Sequence, residues 1–453
     1  ADIVSQRLRL WRAEDMTPLI QKWRRDTSQA WDRRHLLAER SPTAPSESLR
    51  VTRALQLIAD GELSRAQAML LSEGIHDCMD PSVLEQLRSR QPRRTTSMPT
   101  TPPTSHEVIA TQISLRGIYS NLRRRRGAGV TGGRNEYLKA LAISHDDPRA
   151  DRAIAEHERF ALRAYAGHLP AWFFLIWSTC NLTPLKRKPK PGRTAAETPP
   201  RPIAVGEPTQ RAFASALTKA GTETYKEFLM PQQLAIGVSD AAGQLVHGLR
   251  ASLEHSRDHI LFVLDAKDAF QTVKRSIVLE RMSKITGLEA QTTFWHARHN
   301  ARPMLLVGPL RNRLFDNDDT RGDSEEGVMQ GAPDSPAVFC VATQDELVSL
   351  DNAVAMEGGT ARAFMDDVAV VATPQTGFMA IAEYIKNIGR TAGVRIEKVE
   401  VYAPWLDAQT LAASSHRREA ERVCGVEFKM GGRPAPGNSS AGDTHLMRGV
   451  EFM

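Results

Sequence analysis

Two adjacent aspartates interrupt an apolar stretch at residues 363–372, AFMDDVAVVA, so that Asp366 and Asp367 sit between half-runs suited to buried strands. Side by side at a hairpin tip, two carboxylates repel each other and add nothing to a core, so solvent or a divalent cation has to accompany them. Far upstream, residues 259–270 read HILFVLDAKDAF, a second buried strand that ends in Asp265. If these strands pack together, three carboxylates converge into the all-oxygen set that suits Mg²⁺ or Mn²⁺ beside substrate phosphates. Such a centre can drive in-line phosphoryl transfer with two ions about 3.5–4 Å apart. Each element alone has a plainer reading: an exposed turn for the aspartate pair, and a helix cap for a lone aspartate at a strand end, a role open to Asp268 as well.

A third segment, GVMQGAPDSP at 327–336, stops any strand and primes a helix through Pro333, Ser335 and Pro336. Gly331 permits close backbone approach and Gln330 can hydrogen-bond a base or sugar edge. The order D-x-x-x-A-F, Q-G-x-P-x-S-P, F-x-D-D resembles the palm of reverse transcriptases, and most of all those of non-LTR retrotransposons. The resemblance implies that Asp265 and Asp366 bind the catalytic metals with Asp367 in support. It also implies that Phe270 is the aromatic gate that selects dNTPs over rNTPs. RPIAVGEPTQRAF at 201–213 resembles the fingers segment of that family, which gives Arg201, with Lys186 and Lys188 upstream, to the incoming triphosphate. GVTGG with EYLKAL (129–141) and GHLPAWF (167–173) are similar to the start of the fingers. GVRIEKVEVYAP (393–404) resembles the segment whose lysine, here Lys398, protonates the pyrophosphate leaving group. CGVEFKMGGRPAPG (424–437) is similar to the primer-grip hairpin.

The elements that must position these residues are those of an α/β (α+β) chain, expected as a right-hand polymerase fold: fingers, a palm with a small antiparallel sheet, and an N-terminal helical region. Apolar spacing predicts two or three helices within a prelude at 1–90, broken at Gly61, and QPRRTTSMPTTPPTS reads as a linker at 91–105. Fingers with basic loops follow at 106–258, then the palm at 259–437 and a tail at 438–453, too short for a helical thumb. Helical patterns fill 273–285, 290–298 and 336–350. The acidic stretch DNDDTRGDSEE (316–326) carries Arg321 where a calcium loop needs glycine and reads as a solvated hairpin. Two histidine pairs at helical spacing, His255 with His259 and His296 with His299, lack a zinc frame.

The 453 residues suffice for about three folding units, and 41% hydrophobic with 25% charged residues excludes disordered, collagen-like and coiled-coil classes. Net charge is +6, yet residues 101–220 hold 19 basic and 9 acidic residues, so the excess is local. A basic face on a near-neutral body suits a polyanion, which the resemblance implies is an RNA template with a DNA or RNA primer. The run Arg123, Arg124, Arg125, Arg126 fits either a phosphate-contacting arm or a nuclear import signal. Four unpaired cysteines point to the nucleus or another reducing compartment, an organelle included. No apolar run is long enough to span a bilayer, and no leader for secretion is expected. The function expected is RNA-directed DNA polymerisation with dNTPs, alone or within a larger ribonucleoprotein. The rivals are a polymerase-derived structural subunit of such a complex and an RNA-directed RNA polymerase.

Overall fold

The computed structural model describes residues 47–431 apart from 60, 73, 79, 102–103, 106–112, 125, 145–146, 188–197, 309–311 and 316–322. Lys188, Arg125, the tail at 438–453, Arg321 and much of the prelude therefore lie outside the described residues. Contacts divide the chain into two units, one from residues within Ala1–Arg88, Asn181–Ile203 and Leu305–Asn317, the other from Ser89–Cys180, Ala204–Met304 and Asp318–Met453.

In the first unit, α1 (Glu47–Ala59) and α2 (Leu63–Leu70) form a hairpin that turns at Gly61, whose φ of 77° favours glycine. Ala54, Leu57 and Ala66 bury its small core. After α3 (Pro81–Ser89), a four-stranded sheet runs in the order β2-β1-β4-β5, with β1 (Cys180–Leu185), β2 (Arg201–Val205), β4 (Leu305–Val307) and β5 (Asn312–Arg313). The Arg88 Nε donates to the Leu314 carbonyl at 2.7 Å and pins α3 beside β5.

The second unit opens with α4 (Leu115–Ser120), α5 (Asn135–Ile143), α6 (Pro148–Tyr165) and α7 (Ala171–Trp177), then α8 (Pro208–Ala220), α9 (Thr222–Leu229) and α10 (Ala241–His255). Phe160, Trp177 and Phe213 meet at centroid distances of 5.4–5.6 Å and tie α6, α7 and α8 into one aromatic core. The GVTGG loop before α5 closes on Glu207: the Thr131 N–H and hydroxyl donate to its carboxylate at 2.6 and 2.9 Å. A Cβ on Gly129 would meet that carboxylate at 2.5 Å, so a larger residue there would displace the Glu207 side chain.

The same unit holds a five-stranded sheet of order β6-β7-β3-β8-β9, from β3 (Ile260–Lys267), β6 (Thr360–Phe364), β7 (Asp367–Ala372), β8 (Arg395–Tyr402) and β9 (Phe428–Met430). Between the strands come α11 (Ala269–Thr272), α12 (Arg275–Met282), α13 (Glu289–Asn300), α14 (Ser335–Ala355), α15 (Pro374–Arg390), α16 (Ala408–Ala412) and α17 (Ser415–Cys424). Alternation along β3 sends Phe262 and Leu264 into a core shared with Val370, Val401, Phe339 of α14 and Phe378 of α15. Leu261, with Ala369 and Val371, packs instead on Leu245, Leu249 and Leu253 of α10.

Three expectations change. The sheet is antiparallel except at its edge: β9 runs parallel to β8, because α16 and α17 supply the crossover that a parallel pair needs. Residues 432–437 of the expected primer-grip segment lie outside the described residues, and of its strands only β9 is seen. The strand of Asp265 continues to Lys267, with a register shift after Asp265, so that residue lies inside the strand. The described end of the acidic stretch is not solvated: Asp323, Ser324, Glu325 and Glu326 are all buried.

Arginines account for that burial. Arg275, with no solvent exposure, donates to the carbonyls of Gly327 (2.8 Å), Ser324 (2.7 Å) and His299 (3.3 Å) and to the Ser324 hydroxyl (2.6 Å), while its own N–H donates to Glu326 at 2.8 Å. Arg94, from the proline- and threonine-rich segment, bonds Glu325 through its backbone N–H at 3.0 Å and the His299 carbonyl through its side chain at 3.1 Å. Thr104 meets the Thr293 hydroxyl at 2.7 Å, so the described parts of 91–105 are bonded into this unit rather than standing off it. Arg275→Met should cost about 3–5 kcal/mol, since it leaves buried carbonyls and Glu326 without their cation; denaturant unfolding that shows less than about 1 kcal/mol would refute this account of the loop.

Candidate active site

The ladder between β3 and β7 fixes the acidic residues. Its register pairs Ile260 with Ala372 and ends with Leu264 and Val368, so that Asp265 and Asp367 are the next residues of the two strands, near enough for Asp265 to raise the Asp367 carboxyl. On its other side Asp265 pairs with Lys398 of β8. Phe364 pairs with Asp367 across the β6–β7 hairpin, leaving Met365 and Asp366 as its two-residue tip. Asp366 lines a recess of about 270 Å³ with Ala266, Phe339 and Met365, and its charge adds to the rise that burial imposes on the Cys340 thiol.

Asp367 is pushed up to about 7, first by desolvation and then by the carboxylates of Asp366 and Asp265. The residue keeps solvent access, so desolvation there is incomplete and the like charges are the part of the shift that a cation would reverse. Among the described residues no group of three or more His, Cys, Asp or Glu is already gathered so as to hold an ion. Like charges on adjoining strands repel, whereas the backbone register that carries them does not depend on charge. An acceptor-only set of hard oxygens on adjoining strands fits a hard divalent cation.

Lys398 is ion-paired with Glu400 two residues along β8, and the other Glu400 oxygen accepts from the Tyr402 hydroxyl at 2.6 Å. Nothing in the local sequence pattern singles out Glu400. Phe270 stacks on Phe339 of α14 at 4.9 Å with planes 10° apart, which fixes its ring. Its carbonyl accepts from Val328 N–H at 2.7 Å, and Gly327 (φ 73°) approaches so closely that a Cβ would lie 2.6 Å from the Phe270 carbonyl oxygen. Gln271 Nε2 donates to Gln330 Oε1 at 3.2 Å, the Gln330 carbonyl accepts from Ala204 N–H at 2.9 Å, and Gly331 has a φ of 111° that favours glycine. The aromatic residue and the Gln330–Gly331 turn are thus stitched together. Asp268 occupies the N-cap position of α11, yet it makes no cap bond and pairs with Arg90 at 3.5 Å.

Residues 188–405, a little under half of the chain, match the family model for reverse transcriptase (RNA-dependent DNA polymerase) and contain all three aspartates and Lys398. This span is a reverse transcriptase domain. The protein is an RNA-directed DNA polymerase, a nucleotidyltransferase by chemistry, and such a domain works on a nucleic acid template and primer with divalent metal ions. Comparison with curated proteins gives no match.

Other residues expected to serve the reverse transcriptase domain are spread more widely. Lys186 and Arg201 are exposed beside and on strands of the first unit. Arg123, Arg124 and Arg126 are exposed in the loop before α5, where Asn135 Nδ2 holds the Arg123 carbonyl at 2.8 Å. His299 is buried against Trp295 at 4.2 Å and held well below its ordinary range, first by burial and then by Arg275 and Arg298, which fits a core residue. No described helix is long and apolar enough to cross a membrane.

Asp367 binds its proton more tightly folded than unfolded, so between about pH 4, its ordinary range, and about pH 7 the folded state holds the extra proton and stability falls as pH rises. Without divalent ions, the stability gain of Asp367→Asn over wild type should grow across that window and level off above it. A difference that stays constant from pH 4 to pH 8 would contradict the like-charge account.

Proposed function

We propose that this reverse transcriptase domain is of the non-LTR retrotransposon type and extends a primer 3′ hydroxyl with dNTPs on an RNA template, at a centre formed by Asp265, Asp366 and Asp367. The observation that carries this reading is the β3–β7 register, which brings Asp265 alongside the aspartate pair from a distant part of the chain. In this reading residues 106–258 are the fingers and 259–437 the palm of a right-hand polymerase. Mg²⁺ or Mn²⁺, when bound, lowers the pKa of the primer hydroxyl and screens the triphosphate.

The protein's own groups supply the rest. Asp265 and Asp366 are the metal-holding carboxylates and Asp367 supports them by taking up or releasing charge at the tip. Lys398, the cross-strand neighbour of Asp265, donates a proton to pyrophosphate as it leaves, once freed from Glu400. Lys186, Lys188 and Arg201 receive the triphosphate oxygens, and Gln330 with Gly331 bounds the nucleotide from the turn before α14. Phe270, held flat by Phe339, crowds the sugar 2′ position. Arg123, Arg124, Arg125 and Arg126 track the phosphate backbone without reading bases. A nuclear site of action and membership of a larger ribonucleoprotein agree with the basic run and the unpaired cysteines.

On a primed RNA template, Asp366→Asn and Asp265→Asn should each lower dNTP incorporation by more than about 100-fold, beyond the cost of losing a supporting partner, with unfolding transitions preserved. Incorporation by either variant near the wild-type rate would refute the site, and a folded wild type inert with both Mg²⁺ and Mn²⁺ would favour a structural subunit. Phe270→Val should raise the rNTP-to-dNTP ratio of kcat/KM by about tenfold or more; an unchanged ratio removes the gate from Phe270.

A further inference from the structure

The β6–β7 tip departs from ordinary hairpin chemistry. In a two-residue loop whose first central residue has positive φ, glycine is strongly preferred there, yet Met365 holds φ 57°. Nothing in the tip sequence Met-Asp favours that conformation, so it has to be imposed from outside. Gln233 imposes it. Its carboxamide, on a residue only 1% exposed, accepts from the Met365 N–H at 2.9 Å and donates to the Met365 carbonyl at 3.0 Å. A single side chain thereby satisfies both backbone groups of the left-handed residue.

Gln233 is itself held firmly. Ala363 N–H donates to the Gln232 carbonyl at 2.8 Å and Leu234 N–H to the Ala363 carbonyl at 2.9 Å, a parallel bridge along the outer side of β6. Gln232 Nε2 donates to Asp351 at 2.8 Å, and the same carboxylate receives Arg362 at 2.8 Å and the Ala361 N–H at 2.8 Å. From the far side, Gln344 of α14 donates to the Leu229 carbonyl at 2.9 Å.

We propose that Gln233 is a positioning residue for polymerisation: through Met365 it sets the pitch of the tip and hence where Asp366 and Asp367 present their carboxylates. This rests on the reading of those aspartates as the metal-holding centre. It touches neither acid in the role assigned to it, so its loss should act on the rate of the chemical step rather than on nucleotide affinity.

The test compares Gln233→Met, of similar length but without the two hydrogen bonds, with Met365→Gly and the double variant, by single-nucleotide incorporation across Mg²⁺ concentrations. Gln233→Met should lower kcat by about 10–100-fold and raise the Mg²⁺ requirement, with KM for dNTP moved less than about twofold. Because glycine adopts positive φ without strain, the loss caused by Gln233→Met should be at least about threefold smaller in the Met365→Gly background. Wild-type kcat and Mg²⁺ dependence in Gln233→Met, or losses that simply multiply in the double variant, would overturn the proposal. Should Gln233→Met fail to fold, Gln233→Ala takes its place with the same outcomes. If Asp366→Asn keeps full activity, the aspartate centre itself has failed; if Asp366→Asn is inactive while Gln233→Met is unaffected, only the role of Gln233 has.

Discussion

Repulsion among like charges is the constraint around which the second unit is organised. Asp265, Asp366 and Asp367 would separate if they were carried on loops, since each raises the cost of ionising its neighbours; Asp367 is pushed up first by desolvation and then by the other two carboxylates. They are instead fastened to a ladder of backbone hydrogen bonds between β3 and β7, whose inward residues Phe262, Leu264, Val368 and Val370 are almost fully buried. Slippage by one residue would exchange the residues that face α14 and α15 with those that face α10, so the two differently filled cores hold the register and the register holds the charges together. Energy from burial thus holds like charges near one another.

A second layer of fixation surrounds the site and is polar. The Phe270 ring is stacked on α14, its carbonyl is bonded to Val328, and the turn that follows is reached through Gly327 and the buried acids before it. Those acids are tolerated because Arg275 and Arg94 reach them from α12 and from the proline-rich segment. Arg275 sits below its ordinary range through burial and the nearness of Arg94, which shows how closely cations are packed there. Such networks give little net stability compared with an apolar core of the same shape, but they allow one arrangement only. For a site that must present several groups at fixed spacings, that uniqueness is what matters.

The parts legible in the sequence were those whose signal is local. Apolar β-branched runs marked the strands of Asp265 and of the Asp366–Asp367 tip, and the prolines at 333 and 336 marked the start of α14. What escaped depends on partners distant in the chain. Gln233 in PQQLAIG looks like any polar loop residue, and only the β6 edge shows what its carboxamide does. Asp323, Glu325 and Glu326 read as solvated because acidic side chains usually are, and the arginines that bury them lie about 50 and 230 positions away. The parallel course of β9 was equally hidden, since three residues, Phe428–Met430, carry no periodicity that reports strand direction.

The margins of the five-stranded sheet carry a further consequence. At one margin, β6 is shielded by the bridge from Gln232 to Leu234; at the other, β9 spans only three residues and bears a charged lysine, Lys429, in its middle. Among the described residues, neither border offers the long, bare row of amides and carbonyls on which a foreign strand could grow.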